Sequence, residues 1–203
     1  MFELTLPVDV AKYLKNLYNS GIVVLEYGTG GSTFLALESN KKNIVFGCET
    51  DAKWLSRLST EIAARNLNDR FFPVYQNIGE TSEWGYPSFE RQPYDDARCR
   101  NFSQAPRLAW EIMKKKNISP DVVLIDGRFR VASFINTFFN ASKPCTIVFD
   151  DYEGRPSYHV VEKLMKPTTT VSRAAIFNFK PSENSINVRE FLEIFSPYMN
   201  ALY

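Results

Sequence analysis

The sequence predicts an α/β fold: a doubly wound, mostly parallel sheet ordered 3-2-1-4-5, extended by a closing antiparallel pair, with helices on both faces. Three observations carry this. Short apolar runs alternate with helix-period segments along the 203 residues. The first strong run, in GIVVLEYGTGGSTFLAL from Gly21 to Leu37, passes through glycines at 28, 30 and 31 into a helix start. A later run, FFPVY at 71–75, carries a proline that only an edge strand tolerates, and the third strand of a 3-2-1-4-5 sheet is an edge.

The elements follow in order. From Val8 to Tyr18 the residues Val10, Leu14, Leu17 and Tyr18 share one helical face, and Asn19, Ser20 and Gly21 end it. Ile22 to Leu25 is the first strand, closed by Glu26; the second helix begins at Phe34 and ends near Asn40. NIVFGCE at 43–49 is the second strand, again closed by an acid. Trp54, Leu55, Leu58 and Ile62 then stripe a helix capped by Thr50 or Asp51. After FFPVY, the stretch from Gly79 to Pro106 has mixed charge, several aromatics and no period. Its length exceeds what an inert connection needs, and Trp84, Tyr86, Phe89 and Tyr94 mark it as a lid or substrate-facing insertion within a single domain spanning 1–203. A helix from Pro106 to Lys116 leads to DVVLID, the fourth strand. Val131 to Phe139 gives the next helix and CTIVFDD the fifth strand. A helix over 156–166, strands over 168–172 and 174–179 turning at Arg173, and a helix over 188–195 complete the chain.

Lys plus Arg number 24 against 23 acids, a net charge of +1 with no basic stripe, which argues against a nucleic-acid partner. No run is long enough to span a bilayer and no leader pattern opens the chain, so the expectation is a protein with no membrane partner in the cytoplasm. The three cysteines, odd in number and widely spaced, fit a reducing compartment. A homodimer is compatible with the sequence.

The glycine turn places bare backbone and a helix N-terminus at the carboxyl edge of the sheet. Gly28 and Gly30 match the first two positions of G-x-G-x-x-G, but the third is Thr33. Glu26 beside the turn disfavours a pyrophosphate and suits an ammonium, so an NAD-linked oxidoreductase is the weakest reading; the turn could also serve packing alone. Glu49 lies 21 positions after Gly28, near the ~20-residue spacing of an acid that accepts ribose hydroxyls. Capping of the following helix is its alternative role, and Asp51 is the alternative ribose acid.

In this order and spacing, LEYGTGGST, CETD, VVLIDGR and VFDDY make residues 20 to 180 resemble the class I S-adenosylmethionine-dependent methyltransferases. GTGGST, EWGYP, IDGRFR and DDYEGRPSY look most like a small bacterial-type group related to the catechol O-methyltransferase branch. The resemblance implies a Rossmann-like fold, S-adenosyl-L-methionine as cofactor, and transfer of a methyl group to a small-molecule or saccharide-like acceptor, at oxygen in the related branch. It implies a cofactor site of Glu26, Gly28, Thr29, Gly30, Ser32, Thr33, Glu49 and Asp126. It also implies a divalent metal such as Mg²⁺ on Asp126, Asp150 and Asp151. Two departures count against the metal: Asp151 stands where relatives often carry Asn, and Phe129 replaces an expected lysine base. Candidate bases are therefore Asp126, Asp150 and the sole histidine, His159. Trp84, Tyr86, Arg128 and Arg155 are the candidate acceptor contacts, and Arg128, Arg130 and Arg155 together would favour an anionic acceptor. A non-catalytic or degenerate cofactor-binding module is the competing reading.

Overall fold

The computed structural model describes residues 2–183 and 185–199. Seven strands form one sheet in the order β3-β2-β1-β4-β5-β7-β6. They are β1 (Val23–Tyr27), β2 (Ile44–Glu49), β3 (Phe71–Tyr75), β4 (Val122–Ile125), β5 (Cys145–Phe149), β6 (Thr169–Val171) and β7 (Ala174–Phe179). The first five are parallel, β7 runs antiparallel to β5, and β6 runs antiparallel to β7. This is the expected doubly wound sheet with its closing pair, and Pro73 lies exposed on the edge strand β3.

Because successive strand residues face opposite sides, each parallel strand feeds two cores. Val24, Val45, Leu124 and Val148 pack against α1 (Val8–Tyr18), α2 (Gly31–Ser39) and α3 (Ala52–Ala64). Leu25, Phe46, Val123 and Ile147 face α5 (Leu108–Lys115) and α6 (Arg130–Asn140). α7 (Val188–Phe195) joins that second core through the fully buried Phe195. Strands buried on both faces read as continuous apolar runs, which is why periodicity located them. Among the described residues no helix is long and apolar enough to cross a membrane.

Two local expectations change. The helix expected over 156–166 is of the 3₁₀ type and ends earlier, spanning Pro156–Lys163. The insertion from Gly79 to Pro106 is not a loop throughout: Thr81 bridges Pro87, a 3₁₀ turn covers Glu83–Gly85, and α4 (Asp96–Gln104) is a regular helix whose N-cap Asp95 accepts from Arg98 N at 2.7 Å. α4 buries only Arg98 and Phe102, four residues apart, so its sequence shows almost no apolar stripe. The far end of the insertion is pinned beneath the sheet. Tyr27 Oη donates to Pro106 O at 2.7 Å, and Gln76 Nε2 donates to Ala105 O at 2.6 Å.

Candidate functional site

The glycine turn lies where β1 and β4 end side by side. Gly28 has φ of 89°, and a Cβ there would come within 2.7 Å of the Gly127 backbone, so both conformation and space demand glycine. The following residues fold inward onto Glu26. Ser32 Oγ donates to one carboxylate oxygen, and Thr33 Oγ1 donates to the other at 2.6 Å while accepting Gly30 N–H at 3.0 Å. The residue that breaks the third-glycine pattern thus ties the helix start to the acid of β1. Burial pushes the Glu26 carboxyl up to about 8; the two hydroxyls pull it down, and the charges of Asp126 and Glu49 push it further up.

Glu49 ends β2 beside this turn. Its Oε1 accepts the N–H groups of Thr50 and Asp51 at 2.8 and 3.1 Å, and its Oε2 accepts Thr29 N–H and Oγ1 at 3.3 and 3.2 Å. Burial raises its pKa and the backbone donors of Asp51, Thr29 and Thr50 lower it. Capping of α3 falls to Asp51, whose Oδ1 accepts Lys53 N and Trp54 N at 2.8 and 3.0 Å. Trp54 Nε1 in turn donates to Thr29 O at 2.7 Å. The insertion closes over this corner: Thr50 Oγ1 donates to Gly85 O at 2.9 Å. Gly85 has φ of 70°, and a Cβ there would strike Thr50 Oγ1 at 2.3 Å. A cleft of about 400 Å³ opens alongside, lined by Asp51, Lys53, Tyr75, Glu80 and Ser82.

The insertion takes its shape from Arg98, which sequence reasoning missed. Fully buried, it donates to four backbone carbonyls: Ile78 at 2.9 Å, Ser88 at 3.1 Å, Glu80 at 2.7 Å, and Gln92. Trp84, at φ 59°, and Tyr86 are held on the surface, 77% and 41% exposed. The guanidinium of Arg128, from the loop after β4, lies 4.1 Å over the Tyr86 ring.

Asp126, Asp150 and Asp151 present carboxylate oxygens within 4.8 Å of one another, close enough to share an ion. Arginines already hold them. Arg130 reaches Asp126 at 3.0 Å and Asp151 at 3.2 Å, and Arg155 reaches Asp151 at 3.0 Å. Arg173 reaches Asp150 at 2.6 Å and Asp151 at 2.9 Å. Five of the six carboxylate oxygens therefore have a guanidinium within 3.2 Å, and three positive groups balance three negative ones. Mg²⁺ needs several such oxygens at ~2.1 Å and would sit against those guanidiniums, so this donor set does not fit a divalent metal. The candidate metal centre, already disfavoured by Asp151 and Phe129, is instead an arginine-neutralised cluster. Asp126 has its pKa pushed up to about 7 by burial, against the pull of Arg130 and with the charges of Asp150 and Asp151 adding to the rise.

Phe129, in place of a lysine, is buried at φ 57° against Phe102 of α4, turned into the insertion's apolar core. His159 stacks on Tyr152 at 4.6 Å, and its Nε2 lies 3.1 Å from Tyr152 O; it belongs to neither acid constellation. Arg173 went unread as a site residue, though the closing hairpin carried a signal. Pairing of Phe149 with Ala175 places the turn at Arg173 opposite the acids that follow β5.

Neither a family model nor a curated protein matches the chain. Among solved structures it is similar to a methyltransferase-like protein from Silicibacter pomeroyi DSS-3, with 33% identity, 98% of each chain covered and a TM-score of 0.83. It shares its fold with a methyltransferase from Geobacter sulfurreducens, at 8% identity, a TM-score of 0.55, and coverage of 86% of this chain and 80% of that one.

Proposed function

This chain belongs to the class I methyltransferase-like family, and from that premise we propose that it transfers the methyl group of S-adenosylmethionine to a small-molecule or saccharide-like acceptor, at oxygen. The observation that carries the reading is the pairing of two acids, Glu26 and Glu49, at the ends of adjacent strands around the bare backbone of Gly28 and Gly127. The cofactor supplies a sulfonium carbon open to in-line displacement. The chain's share is alignment, exclusion of water and management of one proton.

Glu49 is the group for ribose. Its Oε2 is held only by the long contacts from Thr29, so hydroxyl donors can compete for it. Glu26, which keeps its proton near neutral pH in the free protein, gives it up to face the ammonium of the ligand as an anion, through the layer that Ser32 and Thr33 form. Gly30 and Thr29 contribute backbone along the turn. Asp126 is suited to the acceptor's proton: with a pKa of about 7 it takes or holds a proton near neutral pH, and one of its oxygens carries no arginine. Asp150, gripped at both oxygens by Arg173, and His159, turned to Tyr152, support the architecture around it.

Calorimetry with S-adenosylmethionine, S-adenosylhomocysteine and NAD tests this. The adenosyl-sulfur compounds bind and NAD does not; failure of both to bind overturns the reading. Glu49→Ala weakens their binding by about 1–3 kcal/mol through lost charge-assisted hydrogen bonds. A non-catalytic binding module is favoured by one observation, the burial of Phe129 where a lysine base is expected. Binding without turnover across a broad acceptor panel would select it.

A further inference from the structure

Four arginines meet at the carboxyl edge of the sheet beside the acid cluster, and the cluster has three acids to receive them. Arg130, Arg155 and Arg173 each form ion pairs there. Arg128 is in none of the ion pairs among the described residues, and its Nε is buried without a hydrogen-bond partner. One face of its guanidinium is covered by the Tyr86 ring at 4.1 Å. A stacked guanidinium keeps its N–H donors in the plane of the group, where they form a fork matched to two oxygens of one anion. The position is also fixed. Arg128 follows Gly127, which lies against Gly28, and precedes the buried Phe129, so the backbone is clamped on both sides. Tyr86 also lies within electrostatic reach of Arg155, which holds Asp151.

We propose that Arg128, backed by Tyr86, receives an oxyanion of the acceptor, a carboxylate or a phosphate. This deepens the methyltransferase reading and rests on it. The acceptor is then an anionic molecule whose charged group docks on Arg128 while its nucleophilic atom faces Asp126. The arginine is a specificity group, set apart from the three that neutralise the acids.

The test uses the full chain at low salt, saturated with S-adenosylhomocysteine, and calorimetric titration of phenyl phosphate, benzoate and benzyl alcohol. At least one anion binds tenfold or more tightly than the neutral alcohol, and which one distinguishes phosphate from carboxylate. Arg128→Gln abolishes the preference, and Arg128→Lys, which keeps the charge without the fork, retains only part of it. Equal binding of charged and neutral probes, no detectable binding of either anion, or a preference that survives in Arg128→Gln overturns the proposal. A separate titration of the variants with S-adenosylhomocysteine and with 5′-methylthioadenosine, which lacks the amino-acid tail, covers the other source of a carboxylate. If Arg128→Gln weakens the first tenfold and spares the second, the anion is the cofactor's own and the assignment to the acceptor falls. Absence of S-adenosylhomocysteine binding to the wild type instead overturns the methyltransferase reading, independently of the anion result.

Discussion

Replacing Glu26 by Gln makes the protein more stable above neutral pH and a poorer binder. In the fold the carboxyl titrates at about 8 against an ordinary value of 4.5. The sign follows from proton counting. Below pH 4.5 the group is protonated folded or unfolded. As pH rises toward 8 the unfolded chain gives up its proton while the folded chain keeps it, so stability declines across that window and levels off above it. The gap corresponds to about 3–5 kcal/mol, at ~1.4 kcal/mol for each pH unit between the two values. Glutamine imitates the protonated acid, keeps partners for Ser32 and Thr33, and removes the decline. Urea titrations at pH 5, 6.5 and 8 give a small advantage for Glu26→Gln at pH 5 that widens steadily through pH 6.5 to pH 8. Asp126, also raised, imposes a decline of the same sign on both proteins. A ligand ammonium near Glu26 favours its ionised form, so the wild type releases about one proton on binding S-adenosylhomocysteine at pH 7, read from calorimetry in buffers of different ionisation enthalpy. Parallel pH profiles for the two proteins would refute the reasoning.

Arg98→Met strips four carbonyls of their donor and costs the insertion about 3–5 kcal/mol of local stability. Hydrogen exchange over 79–104 rises sharply while the melting temperature falls less, because the segment can open alone; unchanged protection there contradicts the account. Trp84→Gly relieves a left-handed backbone at an exposed ring, so stability shifts by no more than ~1 kcal/mol while kcat/KM for an active acceptor drops tenfold or more. Unaltered turnover would mean that the ring contacts nothing. Mg²⁺ and EDTA leave the wild-type melting temperature unchanged, whereas Arg173→Ala, which uncovers both oxygens of Asp150 and one of Asp151, makes it Mg²⁺-dependent. A magnesium response in the wild type would show that the arginines yield to a cation.

The fold was legible because strands buried on both faces write themselves as uninterrupted apolar runs, and because Pro73 marked an edge. Glu26, Glu49 and Gly28 were legible for a related reason: each stands where a strand must end, so chemistry and topology coincide in sequence. Partnership was not. That three arginines neutralise Asp126, Asp150 and Asp151 depends on the antiparallel return of β7, which brings Arg173 to acids more than twenty positions earlier. α4 escaped notice because its interior is a guanidinium bonded to carbonyls, and hydrophobic periodicity has no means of registering such a core.

Pro73 has a consequence beyond topology. The sheet has two borders, and both refuse a neighbour. One is β3, missing a donor at its centre; the other is β6, three residues long and largely exposed. A second chain cannot zip onto either through a continuous ladder, which protects the molecule from growing into a shared sheet when crowded or partly unfolded. Any assembly it forms is left to its helices and loops, surfaces that recognise shape and charge rather than bare backbone.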